Sequence, residues 1–143
     1  MTIRKDFIIK KIEKIKSYLK EARELFQLTD SEILHSLNNL HVAERLLQLI
    51  VDTSLDINNH LIKELGLETA DDFKGTFEIL GKNNILEKEF SIKIGQVVGL
   101  RNRIVHQYET VDNKKFVEDF RKHNSDFEEY FRFIITYLDK GDF

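Results

Sequence analysis

Four residues in the stretch LRNRIVHQYE have side chains suited to handling a phosphodiester: Arg101, Asn102, His106 and Tyr108. Arginine holds phosphate through two parallel hydrogen bonds, histidine transfers protons near neutral pH, and asparagine can orient either group. A lone arginine is more often structural and pairs with a carboxylate, and a lone histidine is often stabilised by the end of a helix. The presence of all four types within about two turns favours a functional site.

Arg101 stands where a core residue is expected. At about 100° per residue it falls within roughly 60° of five apolar residues of the same predicted helix. These are Ile94, Val97, Val98, Ile104 and Val105. A charged group in the middle of an apolar stripe needs either a buried partner or a cleft into which it can emerge.

A second, narrow face of the same helix carries Gly95, Gly99, Asn102 and His106. Each glycine inside a helix costs about 1 kcal/mol relative to alanine, so two on one line predict a close approach by another backbone. Asn102 and His106 are i,i+4 neighbours whose polar ends can meet. Arg101 lies about 140° from His106 on the wheel, but its long side chain can bend toward the same end.

Proline is absent and only six glycines occur, which predicts long helices. Apolar spacing predicts an all-α, up-down bundle of about five helices with mostly antiparallel neighbours. The first two predicted helices are 3–27 and Ser31–Leu65, the second of which begins after a capping box at Thr29–Glu32 and ends before Gly66. A short helix begins at Asp71 or Asp72 and is closed by Gly81. The remaining predicted segments are Leu86–Gln107, a helix capped by Asp112, and a last apolar stripe from Phe127 to Leu138.

Composition limits the class of protein. The 143 residues predict one domain, 1–143, and the absence of cysteine excludes disulfides and thiolate chemistry. The N-terminus interleaves charges with apolar residues, so we expect neither a signal peptide nor a membrane span, and a cytoplasmic protein. The net charge of −3 argues against a nucleic-acid coat, although residues 1–20 carry +5 and the rest −8. That basic helix is a solvated face or a strip for a phosphate backbone or an acidic partner.

Two other groups of residues favour structural roles. Asp52, Asp56 and His60 recur every fourth residue, but a helix spreads them over about 12 Å, too far for one ion. We interpret them as a solvated polar face and expect no metal or other cofactor. The C-terminal aromatic residues could stack bases, yet their helical spacing favours core packing. They are Phe127, Tyr130, Phe131, Phe133 and Tyr137.

The motif Arg101-Asn102-x3-His106-x-Tyr108 resembles the RNxxxHxY signature of the HepT-like toxins, which belong to the HEPN superfamily of all-α domains. The order of long and short helices over most of the chain is similar too. The resemblance implies a two-fold homodimer with two motifs across a shared cleft, metal-independent endoribonuclease activity on RNA, and an MNT-type nucleotidyltransferase antitoxin as partner.

By the same resemblance, Arg101 would bind the scissile phosphate, His106 would act as acid or base on the ribose 2′-hydroxyl, and Asn102 would position either group. Tyr108 would accept AMP from the antitoxin, and the added phosphate would block the cleft. The alternative is a catalytically silent HEPN dimer that binds a nucleotidyltransferase or a nucleotide. The net negative charge favours the silent dimer, and the intact set of four residues favours the toxin.

Overall fold

The computed structural model describes residues 2–106 and 112–141, and for residues 102–106 it describes the backbone alone. Within these ranges the secondary structure is α-helical, which confirms the predicted class. The helices are Lys5–Leu25 (α1), Asp30–Leu34 (α2), Leu37–Glu64 (α3), Phe73–Lys82 (α4), Lys88–His106 (α5), Asn113–His123 (α6) and Asp126–Lys140 (α7). None of the helices described combines the length and the apolar character needed to cross a bilayer.

The predicted helix from Ser31 to Leu65 is wrong in one respect, because the structure divides it into α2 and α3. The His35 ring nitrogen Nδ1 lies 2.7 Å from the Ser31 carbonyl oxygen and gives this carbonyl group a hydrogen-bond partner at the end of α2. Ser36 then takes an extended conformation and its hydroxyl accepts the Asn39 backbone N–H, which starts α3. Side-chain bonds to the backbone therefore stop one helix and start the next.

The predicted capping box is confirmed at the start of α2. The Thr29 hydroxyl accepts the Glu32 backbone N–H, and the Glu32 carboxylate accepts the Thr29 backbone N–H. That backbone bond holds the pKa of Glu32 below its ordinary value. The predicted caps at Asp72 and Asp112 are also present, at the starts of α4 and α6.

The two glycines predicted to end helices differ. Gly66 adopts a positive φ of 65° after α3, and the Leu67 N–H returns to the Ile62 carbonyl, as expected. Gly81 does not close α4, because Asn84 adopts the left-handed conformation instead, with φ of 62°. Gly81 serves packing: a Cβ there would lie 2.3 Å from Ser91 Oγ, so its absence lets α4 and α5 approach closely.

Two helix pairs, whose contacts run in antiparallel order, form part of the bundle. α1 packs along α3, and α4 packs along α5. The predicted apolar stripes form the core between them, as the buried residues of α1 illustrate: Ile8, Ile12, Ile15, Leu19 and Ala22. The C-terminal aromatic residues also pack inward, since Phe127, Tyr130 and Phe131 are buried. The prediction of core packing for these three residues is therefore confirmed.

A buried chain of hydrogen bonds links α7, α3 and α4. The Tyr130 hydroxyl donates to Asn58 Oδ1 at 2.5 Å, and Asn58 Nδ2 lies 3.0 Å from Thr76 Oγ1. The Thr76 hydroxyl lies 2.7 Å from the Phe73 carbonyl oxygen, in the first turn of α4. Burial raises the pKa of Tyr130 well above its ordinary value, so the phenol stays protonated. The network fixes the start of α4 relative to the core.

Candidate active site

Three of the four motif residues lie toward the C-terminal end of α5. The structure places Arg101, Asn102 and His106 on this one helix, with His106 its last residue. The five residues from Arg101 to His106 correspond to a rise of about 7.5 Å along an α-helix. The predicted AMP acceptor Tyr108 lies outside the described residues, as do the side chains of Asn102 and His106.

Arg101 is held inside the protein. Its side chain is 10% exposed, and its apolar neighbours on the stripe, Ile94, Val97 and Val98, are buried. The predicted stripe is thus confirmed for the three side chains described. A guanidinium at this depth needs charged or polar partners, because burial of an uncompensated charge is costly.

Asp52 and Phe73, from two other helices, are among the residues that contact the Arg101 guanidinium. Asp52 of α3 accepts a hydrogen bond from Nη2, with 3.0 Å between Nη2 and Oδ1. The guanidinium carbon of Arg101 lies 5.2 Å from the ring centroid of Phe73, the first residue of α4. The carboxylate compensates the charge, and the ring adds a cation–π contact.

The first turn of α4, which supplies Phe73, is itself fixed. Asp72 caps the helix by accepting the Gly75 N–H at 2.7 Å. The Thr76 hydroxyl binds the Phe73 carbonyl oxygen and belongs to the buried network. Phe73 is nevertheless 39% exposed, so the ring that contacts Arg101 also reaches the surface.

The glycine face of α5 differs from its prediction within this chain. Among the described residues, the three atoms nearest to a Cβ built at Gly95 all belong to the Lys74 side chain, with Cγ at 3.1 Å, and a Cβ at Gly99 would have nothing within 4 Å. Gly95 therefore makes room for the aliphatic part of Lys74, which packs across α5 next to Phe73. Gly99 lies on an open part of the helix.

The three α3 residues interpreted as a solvated polar face have separate partners. Asp52 pairs with Arg101, Asp56 accepts from Lys11 Nζ at 2.9 Å, and His60 Nε2 accepts the Arg4 backbone N–H at 3.0 Å. They join α3 to α5, to α1 and to the segment before α1. Among the described residues, no group of three histidine, aspartate, glutamate or cysteine side chains could hold a metal ion.

Asp52 and Phe73 are the site residues that sequence reasoning missed. The spacing of Asp52, Asp56 and His60 predicted only a solvated polar face, and no sequence pattern singled out Phe73. Asp52 and Arg101 are 49 positions apart, so their pairing depends on how α3 packs against α5. The sequence does carry one signal, since a buried arginine requires an acidic partner from another helix.

An all-α bundle with an RNxxxHxY motif near the end of its fifth helix defines a HEPN-type domain. Residues 15–134 match the family described as "Ribonuclease HepT-like". The chain therefore belongs to the HepT-like ribonuclease family, and the resemblance stated from the motif is confirmed.

Two curated relatives are ribonucleases. The chain is 35% identical over 103 residues to the tRNA nuclease HepT of Aphanizomenon flos-aquae, covering 71% of this chain and 69% of that protein. It is 29% identical over 135 residues to the mRNA nuclease HepT of Shewanella oneidensis, covering 87% and 93%. Two members of one family are thus named for different RNA classes.

The fold is also that of a solved toxin. A structure of the tri-AMPylated Shewanella oneidensis HEPN toxin in complex with MNT antitoxin superposes with a TM-score of 0.85 and 26% identity, covering 93% of this chain and 99% of that one. The HEPN-like architecture predicted from the motif and the helix order is therefore confirmed.

Proposed function

We propose that this protein is the toxin of a HepT/MNT toxin–antitoxin pair, a metal-independent endoribonuclease that acts in the cytoplasm. The observation that carries the proposal is the RNxxxHxY motif near the end of α5 in a HepT-like chain. The nuclease relatives and the antitoxin-bound structural neighbour support it.

The reaction we propose is attack by the ribose 2′-hydroxyl on the adjacent phosphorus. His106 takes the hydroxyl proton or gives a proton to the leaving 5′-oxygen, and Asn102 orients the histidine or the phosphate. Arg101 stabilises the negative charge that develops on the phosphate oxygens. The 2′-hydroxyl is the nucleophile, so the step requires no metal-bound water.

The active form we propose is a two-fold homodimer that brings two motif helices to one cleft. Support comes from the open side of α5, where Ile92 is 54% exposed and Gly99 would have free space for a side chain. An exposed apolar residue and a glycine two turns further along the same side of a helix are suited to close contact with a second helix. Light scattering should then give about twice the 16.9 kDa chain mass, and a strict monomer would contradict the shared cleft.

The regulation we propose is transfer of AMP by the antitoxin to Tyr108. The AMPylated toxin among the structural neighbours supports this mode of control. An added phosphodiester near Arg101 would compete with RNA for the guanidinium. Incubation with the cognate nucleotidyltransferase and ATP should add AMP to the wild type and not to Tyr108→Phe. Modification that persists in Tyr108→Phe would show that another residue is the acceptor.

The alternative, a catalytically silent binding module, is favoured by one observation. Arg101 is nearly buried and paired with Asp52, which is the arrangement of a structural arginine. A silent dimer would retain this pair because it holds α3 and α5 together. The two functions differ in one outcome, which is whether RNA is cut.

The deciding experiment uses unmodified protein, prepared without the antitoxin, and end-labelled tRNA and mRNA. Wild type should cleave at least one RNA in EDTA, and His106→Ala should cleave about a hundredfold or more slowly. His41→Ala is a matched control, since His41 is exposed on α3, about three turns before Asp52, and has no proposed role. If neither RNA is cut, or if His106→Ala cuts as fast as wild type, the silent module replaces the ribonuclease.

A further inference from the structure

One carboxylate at the site has no part in the proposed reaction. Asp52 lies beside the arginine that would bind phosphate, with its Oδ1 3.0 Å from Arg101 Nη2, and its side chain is 42% exposed. A negative charge in this place repels an RNA phosphate. A role for Asp52 in cleavage would have to outweigh this repulsion of the substrate.

We propose that Asp52 is a positioning residue for cleavage, which fixes the Arg101 guanidinium in the orientation that stabilises the reacting phosphate. The proposal rests on the proposed ribonuclease function. Asp52 does not touch the substrate in this account and acts through Arg101.

The contacts around Arg101 show how the positioning is achieved. An arginine side chain loses rotamer entropy when it is immobilised. Here the Asp52 carboxylate from α3 accepts a hydrogen bond from one guanidinium nitrogen, and the centroid of the Phe73 ring from α4 lies 5.2 Å from the guanidinium carbon. These contacts restrain the guanidinium before RNA arrives, which favours electrostatic stabilisation of a transition state.

The chain contains a matched control on the same helix. Asp56 lies one turn after Asp52 on α3 and forms an ion pair with Lys11, 2.9 Å from Oδ2 to Nζ. Both aspartates pair with a cation from another helix, and both are partly exposed. They differ in the cation: Asp56 contacts a lysine of α1, whereas Asp52 contacts the motif arginine. Replacing either one by asparagine changes the net charge equally.

The test compares Asp52→Asn with Asp56→Asn in steady-state RNA cleavage. Asp52→Asn should lower kcat about ten- to a hundredfold, because a displaced catalytic group costs on that scale. Its KM should stay unchanged or fall, because a charge that repels phosphate has been removed. Asp56→Asn should keep kcat within about twofold of wild type. A role limited to folding would not separate kcat from KM in this way.

A double-variant cycle tests whether Asp52 acts through Arg101. In an Arg101→Lys background, Asp52→Asn should cause no further loss of kcat, because the oriented guanidinium is already gone. Asp52→Glu, which retains the charge, should recover part of the activity lost in Asp52→Asn. Thermal melts on every variant establish that folded proteins are compared, and Asp52→Glu supplies the comparison if Asp52→Asn does not fold.

The outcomes separate this inference from the function on which it rests. Wild type that cleaves no RNA refutes the proposed function, and this inference falls with it. Wild type that cleaves, with Asp52→Asn as active as Asp56→Asn, overturns the inference alone. Equal losses for Asp52→Asn with and without Arg101→Lys overturn it as well, since Asp52 would then act independently of the arginine.

Discussion

Arg101 and Arg121 are two arginines with similar neighbours and different tasks. Each guanidinium carbon lies over a phenylalanine ring, 5.2 Å from Phe73 for Arg101 and 4.8 Å from Phe26 for Arg121. Each arginine also binds an aspartate of another helix. Arg121 donates in addition to two main-chain carbonyl oxygens, those of Phe26 and Leu28, both at 2.8 Å.

The main-chain contacts give Arg121 an architectural role. It joins α6 to the connection between α1 and α2, and its loss would leave two carbonyl groups without their donor. Arg101 instead belongs to the motif on α5, and its aspartate partner comes from α3. The same pair of residue types thus serves stability in one region and, in our account, catalysis in the other.

The largest expected effect separates the two arginines by activity. Arg101→Lys should lower RNA cleavage about a hundredfold or more, because lysine keeps the charge but loses the planar, two-pronged donor. Arg121→Lys should keep cleavage per folded molecule within about twofold, as expected for a group outside the site. Initial rates on one labelled RNA give the comparison. Equal losses of RNA cleavage in Arg101→Lys and Arg121→Lys would contradict the separate roles of the two arginines.

Stability should separate the two arginines in the opposite direction. Arg121→Ala should lower the free energy of unfolding by about 2 kcal/mol, since bonds from a charged donor to two carbonyl groups are lost. For a chain of this size the melting temperature should fall by roughly 5–8 °C. Far-UV circular dichroism follows the transition. An Arg121→Ala protein that melts with the wild type would contradict the architectural role.

The smallest effect concerns the two rings. A cation–π contact is worth about 0.5–1 kcal/mol at exposed sites, so Phe73→Leu should lower kcat about two- to fivefold. Phe26→Leu, the matched change beneath Arg121, should lower the melting temperature and leave kcat per folded molecule unchanged. The cleavage assay gives kcat and the thermal melts give the melting temperature. A change in kcat for Phe26→Leu alone would reverse the assignment of the two regions.

The features that sequence predicted well depend on residues near one another along the chain. The apolar stripe of α1, the capping box at Thr29–Glu32 and the motif on α5 all follow from spacings within a few turns. Local patterns also explain the errors. His35 and Ser36 end and restart a helix through side-chain bonds, although both residues also occur inside helices.

The environment of the site depends on packing between helices, which a single sequence does not reveal. The apolar stripe predicted that Arg101 faces inward, and in the structure the whole residue is 8% exposed. The choice of Asp52 over Asp56 as its partner depends on the register of α5 on α3. Likewise Gly95 predicted a close approach, and the approaching group is the Lys74 side chain. Which atoms meet is decided by the register between helices.

The ends of the RNA products test the central claim most directly. Attack by the 2′-hydroxyl, with Arg101 and His106 in the proposed roles, leaves a 2′,3′-cyclic phosphate or the 3′-phosphate derived from it, and a 5′-hydroxyl. Mass spectrometry of the fragments from unmodified protein in EDTA should show these ends. The same RNA with a single 2′-deoxyribose at the cleavage position should remain intact. Fragments with a 3′-hydroxyl and a 5′-phosphate, or cleavage at the deoxy position, would contradict the account.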